Sequence, residues 1–296
     1  MIKKTKLLRN IIERNHTDYF LGVQSGLSAK IAEEAGFKAL WGSSLAMSAE
    51  CGLRDNNEMS WTQVLDASEF ISDATNLPLL LDGDSGYGNF NNVRMLVKKM
   101  AARNIAGVCI EDKLFPKQNS FINSEQQSLA DIEEFCGKIK AAKDTLIDDD
   151  FCIVARTEAL VTGLGMHMAL KRAEAYHDAG ADAILIHSKS KNADEVIEFK
   201  TEWGERSPVI IVPTTYHKTP ANVFKDSGFS AVIWANQLIR SCISMMQNIA
   251  NQIHDNQSCS HLDNEISPVK EIFRLQDTEE LLNAEKYYSS LSMKSI

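Results

Sequence analysis

The chain has 296 residues, 44% hydrophobic and 24% charged, a composition ordinary for a folded globular protein. Its 31 basic and 40 acidic residues leave a formal net charge of −9, which argues against a general nucleic-acid binder. That balance favours small anions handled locally, through a metal or a few placed cations, and no apolar run approaches the roughly 20 residues that cross a bilayer.

The basic N-terminus (Lys3, Lys4, Lys6, Arg9) lacks the apolar core of a signal peptide and reads as an amphipathic first helix. Eight apolar, β-rich runs follow: Tyr19–Val23, Ala39–Ser43, Leu77–Leu81, Gly107–Ile110, Phe151–Ala155, Ala183–Ile186, Val209–Val212 and Ala231–Trp234. Helical periodicity separates most of them, over Ser28–Ala35, Asn91–Arg103, Leu129–Lys143, Met166–Ala179 and Ala193–Trp203. Ser128 is expected to cap the third of these helices, with Asp131 as its acidic partner three residues on. Gly36, Gly180 and Gly228 fall where helices should stop. Repeated strand–helix alternation predicts a parallel sheet closed into a (β/α)8 barrel; a doubly wound open sheet would have to leave strands out. A single barrel domain over residues 1–296 is expected, with 257–296 as a C-terminal helical extension and the end from Ser289 frayed. The six cysteines (Cys51, Cys109, Cys136, Cys152, Cys242, Cys259) show no CxxC spacing, so a reduced, cytoplasmic protein is expected.

Charges collect where these strands end. The second ends in Trp41-Gly42-Ser43-Ser44, the third in Asp82-Gly83-Asp84, the fourth in Glu111-Asp112, the fifth in Arg156-Thr157-Glu158 and the sixth in His187-Ser188. In a barrel these ends share one rim, where such enzymes carry their active sites. Asp82, Asp84 and Glu111, with Asp55 from the loop after the second strand, offer hard oxygen ligands suited to Mg²⁺ or Mn²⁺; alternatively Asp82 and Asp84 cap the next helix. The glycines of Asp82-Gly83-Asp84-Ser85-Gly86-Tyr87-Gly88 lack the lysine and hydroxyl of a nucleotide loop and fit a tight turn around a metal. Arg156 can pair two oxygens of a phosphoryl or carboxylate group, or bridge to Glu158 or Glu111. His187 can polarise an oxygen or simply hydrogen-bond, and Trp41 can roof an anion or fill the barrel mouth. Ser43 and the neighbouring amides can donate to a carboxylate. The polar stretch from Glu111 to Ser128 is longer than most loops and reads as a lid carrying Lys117 and Asn119. No GxSxG elbow, HExxH helix or lid cysteine supports covalent catalysis.

Trp41-Gly42-Ser43, Asp82-x-Asp84-x-Gly86-Tyr87-Gly88-Asn89 and Glu111-Asp112-Lys113-x-x-Pro116-Lys117-x-Asn119-Ser120 resemble the phosphoenolpyruvate mutase branch of the isocitrate lyase superfamily. Ala155-Arg156-x-Glu158-Ala159, His187-Ser188-Lys189 and Val269-Lys270-Glu271-Ile272-Phe273 extend the likeness over nearly the whole chain. The resemblance implies a (β/α)8 barrel, a helix exchanged between paired subunits, commonly a tetramer, and Mg²⁺-dependent interconversion of phosphoenolpyruvate and phosphonopyruvate. It implies that Asp82 ligates the ion directly while Asp55, Asp84 and Glu111 support it through water. Trp41, Ser43 and the amides of Ser44 and Leu45 would hold the substrate carboxylate. Arg156, His187 and Asn119 would engage the phosphoryl group, with Lys117 and Ser120 contributing from the closed lid. Ser44 departs from the glycine expected there, which matters only if a glycine conformation was needed. The resemblance further implies an enzyme that drains phosphonopyruvate downstream; the net charge and the lack of a spanning apolar run lead to no expected nucleic-acid or membrane partner.

The nearest rival is a phosphonopyruvate hydrolase, a branch that typically carries threonine where Asn119 stands. Carbon–carbon lyases of the superfamily carry a lid cysteine that Lys117–Ser120 lacks, and decarboxylases of this fold lack the lid. A non-catalytic binder of oxalate-like anions would leave the full set of acids unexplained.

Overall fold

Eight parallel strands close on themselves in sequence order, each pairing with the next and the eighth returning to the first. In this computed structural model, which describes residues 2–292, they are β1 (Asp18–Val23), β2 (Ala39–Gly42), β3 (Leu79–Asp82), β4 (Gly107–Glu111), β5 (Cys152–Thr157), β6 (Ala183–Ile186), β7 (Val209–Ile211) and β8 (Ala231–Trp234). The eight expected runs are all strands, in the barrel rather than an open sheet. Helices α1 (Lys4–Glu13), α2 (Gly26–Glu34), α3 (Ser44–Glu50), α4 (Trp61–Asp73), α5 (Phe90–Ala101), α6 (Ile132–Thr145), α7 (Gly165–Asp178), α8 (Asp194–Trp203) and α9 (Ala221–Asp226) accompany them. Gly36, Gly180 and Gly228 take positive φ just past α2, α7 and α9, as expected of helix stops.

Alternation along each strand sorts side chains into two cores. Leu21, Leu81, Val108, Ile110, Ile153, Ile184, Ile211 and Val232 face the helices. Phe20, Leu80, Cys109, Val154, Leu185, Ile210 and Ile233 fill the barrel, with Leu8, Ile11 and Ile12 of α1 packed against them. The first helix is therefore amphipathic as expected, and its apolar face is spent on the barrel interior. Because the side-chain period of a strand is two, inward Leu80, Cys109, Val154 and Leu185 are followed by inward Asp82, Glu111, Arg156 and His187. The same parity that fills the core with hydrophobes thus delivers charges to the C-terminal mouth.

Two local expectations need correction. The helix read from Leu129 begins at Ile132, capped by Asp131, whose Oδ1 accepts from the amides of Glu133 (2.8 Å) and Glu134 (3.3 Å). Leu129 is instead held extended by an antiparallel bridge to Lys113, so Ser128 cannot cap. Neither Asp82 nor Asp84 caps a helix: α5 is capped by Asn89, in a reciprocal box with Asn92.

The chain divides into two compact units, residues 1–239 and 240–296. The second holds most of α10 (Gln237–Asn256), α11 (Val269–Leu275) and α12 (Thr278–Ser292), with Ile272, Phe273, Leu281 and Leu282 about half exposed. Helical structure continues past Ser289 to Ser292, where fraying was expected; residues 293–296 of that stretch lie outside the described residues. Among the described residues no helix is long and apolar enough to cross a membrane, and all six cysteines are free thiols.

Candidate active site

The loop after β3 is stitched to β4. The Gly83 amide donates to Cys109 O (2.8 Å), and the Glu111 amide to Asp84 O (2.8 Å). A Cβ on Gly83 would lie 2.5 Å from Val108 Cγ2, so only glycine lets the two backbones come this close. Asp84 sits in the left-handed region (φ 50°), a strained conformation for a non-glycine that turns its carboxylate back toward the mouth beside Asp82.

Three buried acids, Asp82, Asp84 and Glu111, and the part-buried Asp55 collect around one ammonium. Lys117 Nζ lies 2.8 Å from Asp55 Oδ1, also pairs with Asp84 Oδ1, and donates to Ser44 Oγ (3.1 Å). Ser44 Oγ in turn donates to Asp82 Oδ2 (2.9 Å), and the Asp84 amide to Asp82 Oδ1 (3.3 Å). Asn57 braces the pair, its amide donating to Asp84 Oδ2 (2.7 Å) while its carbonyl oxygen accepts from the Lys117 amide (2.7 Å). Burial alone would lower the Lys117 ammonium, but Asp84, Asp82, Asp55 and Glu111 hold it well above its ordinary value. Burial pushes Asp84 up to about 6 and Glu111 up to about 7, against the pull of Lys117 and of Arg156 respectively.

A second group sits across the mouth. Arg156 Nε donates to Glu158 Oε1 (2.6 Å) and lies 3.3 Å from Glu111 Oε2, and its Nη2 donates to Ser120 Oγ (3.1 Å). His187 Nδ1 lies 2.8 Å from Glu158 Oε1 and 2.9 Å from Arg156 Nη2. Burial and the neighbouring guanidinium lower the His187 pKa, while Glu158 pulls it the other way. Glu158 has no solvent exposure; burial opposes its charge, yet Arg156 and His187 hold it well below the carboxylate range. Arg156 is thus salt-bridged to Glu158 and Glu111, and it also lines the pocket.

The loop after β4 supplies residues 117–121 to the pocket wall. Lys113 Nζ, itself buried, donates to Gln118 O (2.7 Å) and Ser120 Oγ (2.8 Å). Asn119 Nδ2 donates to Asp55 Oδ2 (2.8 Å), and the Phe121 ring meets His187 edge-on at 5.5 Å. Lys117 and Ser120 are almost wholly buried.

Behind β4 and β5, Asp112 fixes the arrangement from outside the barrel. Its carboxylate accepts from the Glu158 amide (2.9 Å), Thr157 Oγ1 (3.1 Å), Arg172 Nη1 (3.1 Å) and Tyr176 Oη (2.7 Å). Removing a buried charge's partner typically costs about 3–5 kcal/mol. Arg172→Met is therefore expected to lower unfolding stability by roughly that amount, read by denaturant titration; an unchanged midpoint would mean Asp112 does not depend on Arg172.

The family profile described as phosphoenolpyruvate phosphomutase matches residues 8–254. The chain belongs to the phosphoenolpyruvate phosphomutase family. It is 53% identical to a phosphoenolpyruvate phosphomutase of Tetrahymena pyriformis, covering 97% of this chain and 95% of that one. The crystal structure of a phosphoenolpyruvate phosphomutase from Streptomyces platensis subsp. rosaceus superposes with a TM-score of 0.94 at 39% identity, covering 96% and 99% of the two chains. A phosphonopyruvate hydrolase solved with oxalate and Mg²⁺ superposes with a TM-score of 0.91 at 35% identity, covering 97% and 99%.

On this phosphomutase-family barrel, Trp41, Ser43, Leu45, Asp55, Asp82, Glu111, Lys117, Asn119, Ser120, Arg156 and His187 line one pocket. Asp84 and Ser44 stand behind it, bonded to Lys117 and Asp82. Ser44 opens α3 without positive φ, so glycine's freedom is not required there. Sequence reasoning left Glu158, Lys113 and Asn57 without roles of their own, along with Gln118, Phe121, Thr214 and Asn236 of the pocket wall. Thr214 and Asn236 were marked by position just beyond β7 and β8. Asn57 gave no signal, because its role comes from tertiary contact alone.

Proposed function

We propose that the protein is a phosphoenolpyruvate mutase, interconverting phosphoenolpyruvate and phosphonopyruvate with Mg²⁺ beneath its closed lid. The observation that carries this reading is the placement of Lys117, Asn119 and Ser120 across a pocket walled by buried acids on one side and Arg156–His187 on the other. The greater identity to the Tetrahymena phosphomutase than to the hydrolase points the same way.

The residues fit a hard divalent cation. The acids gathered around the Lys117 ammonium offer only oxygen donors in a buried setting. Among the described residues no three His, Cys, Asp or Glu side chains converge as a ready-made cage. Mg²⁺ typically keeps several waters and takes one or two carboxylates plus substrate oxygens. Asp82 would ligate it directly, with Asp55, Asp84 and Glu111 holding its waters; Mn²⁺ would serve similarly. When bound, the ion supplies a positive charge that steadies the enolate oxygens.

The protein's own groups do the rest. Trp41, Ser43 and the amides of Ser44 and Leu45 hold the substrate carboxylate. Phosphoryl transfer passes through a loose, metaphosphate-like state, so positioning and charge stabilisation dominate. Arg156, with His187 and Asn119, keeps the phosphoryl oxygens in place while the group moves between enolate oxygen and carbon. Ser120 is tied to Arg156 and Lys113, and Lys117 to Asp55, so lid residues lock to the site on both sides and exclude water.

The half-exposed Ile272, Phe273, Leu281 and Leu282 support the further reading that the extension 257–296 packs on a second copy, in a tetramer built from swapped dimers. Phosphonopyruvate formation being uphill, a phosphonopyruvate-consuming enzyme would act next, in the same cytoplasmic compartment.

A coupled assay tests the activity. With phosphonopyruvate and Mg²⁺, lactate dehydrogenase should consume NADH only after pyruvate kinase and ADP are added. Immediate consumption would mean that pyruvate is released directly and the protein is a hydrolase.

A further inference from the structure

At the N-terminal ends of β1, β7 and β8, away from the catalytic mouth, lies a second cavity of about 450 Å³, within the ~300–1,000 Å³ usual for small-molecule sites. Its walls are the connections leading into those three strands, residues 13–17, 205–208 and 228–230, together with Lys200 and Lys225. It shares no residue with the catalytic pocket.

Its charge runs against the composition of the chain. The two acids in its wall are already engaged, Glu13 by Arg9 (2.8 Å) and Glu205 by Lys200 (3.2 Å). Arg14, Arg206 and Lys225 also line it, and none has a carboxylate partner among the described residues. In a chain with a net charge of −9, the hollow thus gathers three exposed cations with no carboxylate paired with them among the described residues. Arg206 is also fixed in place. Its guanidinium lies 5.3 Å from the Trp203 ring centre, and its Nη1 donates to the carbonyls of Glu202 (2.9 Å) and Trp203 (2.6 Å).

We propose that this cavity binds a small phosphate-bearing polyanion, held by Arg14, Arg206 and Lys225. Planar guanidinium groups suit paired phosphate oxygens, and a second anionic group would reach the Lys225 ammonium. The site lies outside the proposed reaction and stands independently of it.

Calorimetric titration with inorganic pyrophosphate, in Mg²⁺-free buffer of fixed ionic strength, tests this. The wild type should bind one pyrophosphate per chain, and the R206E/K225E variant should bind at least tenfold more weakly while its basal turnover stays unchanged. Equal affinity in both proteins would place the anion elsewhere and overturn the proposal. So would the lack of saturable binding, or displacement by equimolar sulfate, which would reveal mere charge screening. Should the double reversal fail to fold, Lys225→Gln offers the same comparison, and an affinity equal to wild type overturns the proposal just as directly.

Discussion

Asp82→Ala is expected to remove Mg²⁺-dependent turnover while leaving the barrel folded. Asp82 is the inward carboxylate of β3 and accepts from Ser44 Oγ and the Asp84 amide, so its loss leaves two donors short of a partner. Leaving a buried donor unsatisfied costs about 1–3 kcal/mol, against a typical total stability of ~5–15 kcal/mol. Some of that is returned, because one fewer negative charge is crowded beside Asp84. Catalysis has no such relief. Losing several kcal/mol of charge stabilisation in the transition state slows turnover by about 10³-fold or more. Steady-state rates and far-ultraviolet circular dichroism separate the two effects. A variant that keeps full activity contradicts direct ligation; one that unfolds makes Asp82 structural.

Asn119→Ala is expected to lower turnover on the order of 100-fold, the scale of losing one well-placed donor, and to divert part of the product to inorganic phosphate. Its amide ties the lid to Asp55, and its own carbonyl groups hold the lid together, Oδ1 accepting from the Phe121 amide and the backbone oxygen from Gln127 Nε2. Without that tie the lid lies less firmly over the mouth, and water competes for the phosphoryl group. Phosphorus NMR of the products reads both effects. An unaltered rate with no phosphate would remove Asn119 from the site.

The barrel was legible because its signal is local. Each strand is a short apolar run ending in charge, and the parity that turns Leu80 inward turns Asp82 inward too. The gathering of Asp82, Glu111, Arg156 and His187 in one pocket followed from that placement. The Asp112 arrangement was not legible, since Arg172 and Tyr176 lie 60 and 64 residues away and meet it only once α7 packs on β5. Glu158 was taken as a partner for Arg156, whereas it anchors Arg156 and His187 together and draws Lys113 toward the lid. The start of α6 was misplaced because Ser128 and Asp131 are both good caps; the bridge from Lys113 to Leu129, invisible locally, decides between them.

The central claim is that the phosphoryl group passes between oxygen and carbon without meeting water. The direct measurement is phosphorus NMR of the wild-type enzyme turning over phosphonopyruvate with Mg²⁺ in water enriched in heavy oxygen. Phosphoenolpyruvate should accumulate with no inorganic phosphate and no label in either phosphoryl group. Labelled inorganic phosphate as the main product would contradict the account.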